Sequence, residues 1–151
     1  MKSILDYLDN TVKKYGEKTA VDDGNICMTW QELQMLSKQI GTVLCAKTNS
    51  ENPIAIVADK SAVTLAVMFG VVYAGCYYVM VDPKQPLDRM QDIFSVLSPK
   101  IIITCAENEN LIDETGYGDR KCLLEELIQD EIDYKRLMAI MKKCKEEDIL
   151  Y

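Results

Sequence analysis

A chain of 151 residues, 48% apolar and 27% charged, is long enough to bury roughly 70% of its unfolded surface and too apolar to be disordered. Its formal net charge of −7, with no clustered basic face, excludes a nucleic-acid surface that works by neutralising phosphates. There is no histidine, and the six cysteines (Cys27, Cys45, Cys76, Cys105, Cys122 and Cys144) contain no C-x-x-C pair; zinc sites of the usual spacing and Ser-His-Asp or Cys-His catalysis are excluded with them.

The N-terminal Met1-Lys2-Ser3-Ile4-Leu5-Asp6 carries an acid where a secretory segment is apolar. A disulfide framework is unusual at this size, so the sequence predicts a reducing cytoplasm. Ser3 with Asp6 opens a helix whose Ile4, Leu5, Leu8, Val12 and Tyr15 share one face, and Gly16 closes it. Short strands at 19–21 and 26–28 flank Asp22-Asp23-Gly24-Asn25, where Asp-Gly predicts a hairpin turn with both central residues at positive φ. Thr29 and Glu32 form a capping box for the next helix, whose buried stripe is Leu33, Leu36, Ile40, Val43 and Leu44. Residues 47–52 are a polar loop.

From Pro53 the rhythm changes. Strands at 54–58, 77–81 and 101–105 alternate with helices at 61–74 and 87–97, with Pro86 before the second helix and Pro99 after it. Continuous apolar strands spaced by such helices predict a parallel sheet with right-handed crossovers. The uncharged run 62–81 has the length of a membrane span. Gly75 stops a helix within it, Tyr77-Tyr78-Val79-Met80-Val81 has β-former composition, and the flanks Asp59-Lys60 and Asp82-Pro83 lack basic anchors. It is read as a buried helix–strand pair, with Gly75 at positive φ after the helix. Further on come a short helix in 107–119, a Gly116-Tyr117-Gly118 loop, a strand at 121–124 and an amphipathic helix at 132–145 that buries Leu137, Met138 and Met141. Lys142, Lys143 and Lys145 beside Glu146, Glu147 and Asp148 read as a solvated helix end. Met68, Met80, Met90, Met138 and Met141 read as core filler. The expected fold class is α/β: an open, mainly parallel sheet with flanking helices, plus a small N-terminal helix and a β-hairpin set apart from that core.

No G-x-S-x-G, G-x-x-x-x-G-K-[ST] or strand-borne G-x-G-x-x-G occurs. Gly116-Tyr117-Gly118 lacks the third glycine and reads as a turn. Asp59, Asp82 and Thr104 follow strands at the carboxyl edge of the sheet, where open α/β folds bind ligands. That layout is shared with receiver domains of response regulators, but the acidic pair after the first strand and the lysine after the last are missing. Asp59 and Asp82 are therefore read as helix-cap or turn residues. Cys76 beside Tyr77-Tyr78 has no adjacent base to lower its pKa and is assigned to a packed strand.

Two stretches resemble signature motifs of the AMP-forming, adenylate-forming ligases: peptide-synthetase adenylation domains, D-alanine–carrier protein ligases and acyl-CoA synthetases. Met28-Thr29-Trp30-Gln31-Glu32-Leu33 is similar to the first motif, and Ala74-Gly75-Cys76-Tyr77-Tyr78-Val79-Met80-Val81-Asp82-Pro83 to the second. Pro86, Arg89, Ile93 and Pro99-Lys100-Ile101-Ile102-Ile103-Thr104 continue the likeness. The family commonly has proline where Met80 stands and a basic residue where Tyr73 stands. The resemblance implies that 1–151 is the N-terminal subdomain of such a ligase and a partial domain of a larger fold. Its parts would be a helix–hairpin–helix section (1–50) and an alternating section (53–151). In the family both motifs are structural, and the phosphate loop, substrate pocket and catalytic lysine come later, after the strand that 149–151 is expected to begin. No catalytic, cofactor-binding or metal-binding residue is therefore assigned within 1–151. The parent enzyme is expected to use ATP and Mg to activate a carboxylate, an amino acid by the Asp-Pro-x-x-Pro phrasing at 82–86, and to pass it to a carrier-protein or CoA thiol. Its expected partners are the remainder of the enzyme and that acceptor, with neither nucleic acid nor membrane. The alternative is a free-standing, receiver-like binding or signalling module without catalysis.

Overall fold

A computed structural model describes residues 3–143. The strand expected at 149–151, Cys144 and the helix end at 144–145 lie outside these residues. The elements are α1 (Ile4–Tyr15), β1 (Thr19–Asp22), β2 (Cys27–Thr29), α2 (Trp30–Lys47), β3 (Pro53–Val57), α3 (Ala62–Tyr73), β4 (Tyr77–Val81), α4 (Leu87–Leu97), β5 (Ile101–Thr104), α5 (Glu109–Glu114), β6 (Lys121–Leu123) and α6 (Tyr134–Met141), with short 3-10 turns between some of them. β1 and β2 pair antiparallel; the other four strands form a parallel sheet in the order β4-β3-β5-β6.

Strand periodicity explains the layers. Side chains alternate across a strand, so Ile54 and Ile56 of β3 enter one apolar cluster while Ala55 and Val57 enter another. The first cluster lies under α3, α2 and α1 and takes in Val67, Val71, Leu33, Ile40 and Leu5. The second lies under α4 and α5 and holds Met90, Phe94 and Ile112. The α3 crossover leads from β3 outward to β4, and α4 leads back past β3 to β5. Two crossovers of one hand running in opposite directions place their helices on opposite faces. This reversal creates a switch point between the carboxyl ends of β3 and β5.

Helix ends follow local chemistry. The Ser3 and Asp6 side chains cap α1 reciprocally, at 3.3 and 2.8 Å. Thr29 and Glu32 do the same for α2, at 3.2 and 2.8 Å. α3 is apolar all round because it is enclosed between the sheet and α2. Its contact with α2 is a backbone-close seam: a Cβ on Gly41 would lie 2.7 Å from Tyr73 Cβ, and one on Gly70 would lie 2.5 Å from Ile40 Cγ2. The helix ends in a Schellman motif, in which Cys76 N–H donates to Val71 O (3.1 Å), Gly75 N–H donates to Val72 O (2.9 Å) and Gly75 has φ +72°. No helix among the described residues is long and apolar enough to cross a membrane.

Several expectations need correction. The hairpin has its own sheet but is not set apart from the core, since Met28 is buried in the main cluster and Val21 packs against it. Its turn does not place Asp23 and Gly24 both at positive φ: Asp22 pairs with Cys27, Asp23 N–H donates to Ile26 O at 3.1 Å, and within the turn only Gly24 has positive φ. The Asp23 carboxylate accepts from Asn25 and Ile26 N–H instead, so an Asx turn replaces the second left-handed residue. Gly16 ends α1 at φ −47°, where its N-terminal neighbours leave no room for a Cβ, which would sit 2.9 Å from Val12 O. Ile4 and Tyr15 are exposed at the flanks of the α1 stripe. α6 begins at Tyr134, capped by Asp133, and buries Leu137 but leaves Met138 exposed. Met80 is also exposed, at the outer strand of the sheet, whereas Met90 is fully buried.

Candidate functional site

The loops after β3, β4 and β5 meet at the carboxyl edge of the sheet, on either side of the switch point, and this is where open α/β folds take ligands. Each residue singled out there has a structural partner. Thr104 is fully buried and its Oγ1 donates to Val57 O at 2.9 Å, stitching β5 to β3. The Asp82 Oδ1 accepts from Lys84 N–H at 2.8 Å, and Gln85 N–H donates to Asp82 O at 3.2 Å, so Asp82 makes the turn that leads into α4. Asp59 is not a cap. Its carboxylate lies 3.5 Å from Lys84 Nζ with both side chains exposed, and its carbonyl accepts from Thr64 Oγ1 at 2.8 Å.

The cap of α3 falls to Ser61, whose Oγ accepts from Thr64 N–H at 3.0 Å. A second acceptor comes from the hairpin: Asp23 Oδ2 takes the Ala62 N–H at 2.8 Å. The bond from Ala62, followed by those from Ile26 and Asn25, holds the Asp23 carboxyl below its ordinary range. The free amides at a helix N-terminus are the groups that would receive a phosphate. Here the protein itself occupies two of them, those of Ala62 and Thr64.

The remaining candidates scatter. Gly116 has φ +86° and opens a turn; Tyr117 stacks edge-on against Phe94 with ring centroids 5.4 Å apart, which makes Gly116-Tyr117-Gly118 a packed corner beside α4. Cys76 donates to Asn49 O at 3.3 Å. Burial raises its thiol pKa and pushes those of Cys45 and Cys122 up to about 11, which keeps all three protonated and unreactive at neutral pH. Cys27 is exposed, and Cys105 is partly exposed next to Asn108.

Two cavities lie on the side of α6. One of about 380 Å3 is bounded by Asp9, Lys38, Tyr73, Tyr134 and Leu137. Lys38 sits over the rings of Tyr73 and Tyr134, 5.7 and 5.9 Å from their centroids, and 4.0 Å from Asp9. Burial raises the Tyr73 phenol above its ordinary value, and the Asp9 carboxylate adds to that. Sequence periodicity did not signal this group, because its members come from four helices. The other cavity, of about 260 Å3, lies between α6 and the 48–50 loop. This second cavity opens near residues that precede β3 and β4, at the edge of the sheet opposite the switch point.

The two motif stretches are scaffold in this geometry. Met28 and Leu33 are buried around the α2 capping box, and 74–83 comprises the Schellman turn, β4 and the Asp82 turn.

Comparison with known proteins adds the wider context. The profile of the family described as AMP-binding enzyme matches residues 8–150. Tyrocidine synthase 1 of Brevibacillus parabrevis is 24% identical over 99% of this chain, which corresponds to 14% of that protein. The D-alanine–D-alanyl carrier protein ligase of Staphylococcus epidermidis is 24% identical over the whole chain, which covers 29% of it. Among solved structures, a benzoate CoA ligase from Burkholderia xenovorans superposes with a TM-score of 0.75 at 17% identity, over 84% of this chain and 28% of that one. VinN in complex with 3-methylaspartate gives a TM-score of 0.75 at 17% identity, over 97% and 39%. The chain thus spans less than a third of the length of the first two relatives and shares its fold with a corresponding part of larger ligases. It belongs to the AMP-binding enzyme family.

Proposed function

We propose that the chain is the N-terminal part of an ATP-dependent ligase that activates a carboxylate, an amino acid in the best-supported case, as an acyl-adenylate and passes it to a carrier-protein or CoA thiol. The observation that carries this reading is the family match over 8–150, with both motif stretches folded as scaffold. The amino-acid preference is supported by the Asp-Pro-x-x-Pro phrasing at 82–86 and by relatives named as a peptide synthetase and a D-alanine carrier ligase. In this reading ATP, with Mg, supplies the adenylate and pyrophosphate leaves.

The residues described here do not fit a phosphate cradle. The first turn of α3 is filled by Ser61 and Asp23, and Lys84 at the same edge lies against Asp59. Groups that hold the phosphates and the metal are therefore assigned to the remainder of the enzyme. The role left to this chain is to present a rigid carboxyl edge, with Asp82 and Thr104 fixing the loops there. The same reading puts the protein in a reducing cytoplasm, where its thiols stay free.

Calorimetry on residues 1–151 tests the assignment of the nucleotide site: no ATP binding is expected, and micromolar binding would contradict it. Pyrophosphate exchange into ATP by the full-length parent tests the reaction. Exchange should depend on an added amino acid, and failure across a broad panel of amino and acyl acids would remove the ligase reading.

A further inference from the structure

The hairpin and the start of α3 are hydrogen-bonded through one carboxylate. α1, α2 and α4 each carry an acid in their first turn (Asp6, Glu32 and Asp88), but α3 has none of its own. Its anion is imported across 39 residues of sequence: Asp23 Oδ2 accepts from Ala62 N–H at 2.8 Å. The other oxygen, Oδ1, binds the turn itself, taking Asn25 N–H at 2.9 Å and Ile26 N–H at 2.8 Å. Asp23 N–H closes the loop on Ile26 O at 3.1 Å. One carboxylate therefore organises the hairpin turn and caps the helix that begins at the carboxyl edge. A charged acceptor on several backbone donors is a strong form of hydrogen bonding, and the positive end of the helix dipole adds to it.

We propose that the β1–β2 hairpin is a docked arm whose turn carboxylate, Asp23, serves as the built-in anion of α3, holding the arm against the carboxyl edge and closing that helix N-terminus to phosphate and other outside anions. The neighbouring Asp22 provides an internal control, because its Oδ1 accepts only the Gly24 N–H, at 2.9 Å, within the turn.

Amide hydrogen exchange on the full chain tests the latch. In Asp23→Ala the Ala62, Asn25 and Ile26 amides should exchange about tenfold faster than in the wild type, while amides deep in α3 stay protected. Asp22→Ala should leave Ala62 unchanged. Sodium sulfate, compared with sodium chloride at matched ionic strength, should restore Ala62 protection in Asp23→Ala and do nothing for the wild type. If Asp23→Ala does not fold, Asp23→Asn keeps the shape without the charge, and its Ala62 amide should still exchange faster than the wild type's. Wild-type exchange at Ala62 in the folded variant, or sulfate protection of the wild type, would overturn the proposal.

Discussion

Gly75 offers a test in which two physical effects can be separated. It ends α3 at φ +72°, where an L side chain costs about 1–2 kcal/mol. The space is also closed: a Cβ there would lie 2.7 Å from Ile140 Cγ2 and 2.8 Å from Ser50 Oγ. Overpacking of this kind adds about 1–3 kcal/mol, so Gly75→Ala should destabilise the chain by about 2–5 kcal/mol. Gly116 is the reference, with φ +86° and nothing within 4 Å of the Cβ position. Gly116→Ala should show the backbone cost alone, about 1–2 kcal/mol. With a urea m-value of about 1–3 kcal/mol/M, the Gly75 variant should lose at least about 0.7 M in midpoint, and clearly more than the Gly116 variant. Ile140→Ala combined with Gly75→Ala should recover part of the steric fraction and none of the backbone fraction, so that the double variant loses less than the sum of the two single variants in the double-mutant cycle. Equal losses at the two glycines, or no coupling to Ile140, would refute the account of α6 packed over the end of α3.

Other expectations follow from the same geometry. Gly70→Ala, which in an open helix would stabilise, should destabilise by about 1–3 kcal/mol because the seam with Ile40 has no room; a higher thermal midpoint would contradict the seam. Phe94→Ala should cost about 3–5 kcal/mol by emptying the cluster beneath α4, measured by urea unfolding. The Asp23 carboxyl is held below its ordinary value of 3.8, so the stability it contributes is fully present above that value and is lost as pH falls through the lower folded-state value. Asp23→Asn should flatten the acid limb of a stability–pH profile, and an unchanged limb would count against the latch. Thiol labelling at neutral pH should modify Cys27 and Cys105 before Cys45, Cys76 and Cys122, since burial holds the last three protonated.

How far the sequence was legible depended on the range of each interaction. The Thr29–Glu32 box, the Gly75 stop and the apolar strands are set by neighbours in the chain, and all were read correctly from pattern and spacing. The uncharged run 62–81 is resolved into α3 and β4 by one glycine, as its β-former tail indicates. Errors arose where a partner lay far away. Asp23 was read with Gly24 as a local turn because its second ligand, the Ala62 amide, comes from another layer. Met80 and Met138 match apolar faces by period, yet one sits at the sheet border and the other at the rim of α6, where the pattern continues but the covering layer does not. Asp59 was read as a cap or turn residue because it precedes α3, and the cap itself falls to Ser61, two residues later, which has the geometry to reach Thr64 N–H. Of the candidate site, the carboxyl edge was legible from strand endings. The cavity around Lys38 was not, since four helices contribute to it.

The seam between Gly41 and Gly70 has a consequence for how this region can be rearranged. Backbones in such close contact leave no layer of interchangeable side chains between α2 and α3. The first fifty residues therefore cannot be treated as a cassette and grafted from a distant relative at the Pro53 junction. A transplanted α2 would need a residue without a side chain opposite Tyr73, a side chain of Ile40's shape to pack on Gly70, and a hairpin turn able to reach the start of α3. Chimeras cut at that junction should fail unless these contacts travel together, whereas exchanges confined to the 47–52 loop, or to the outer surface of α4, leave the seam untouched.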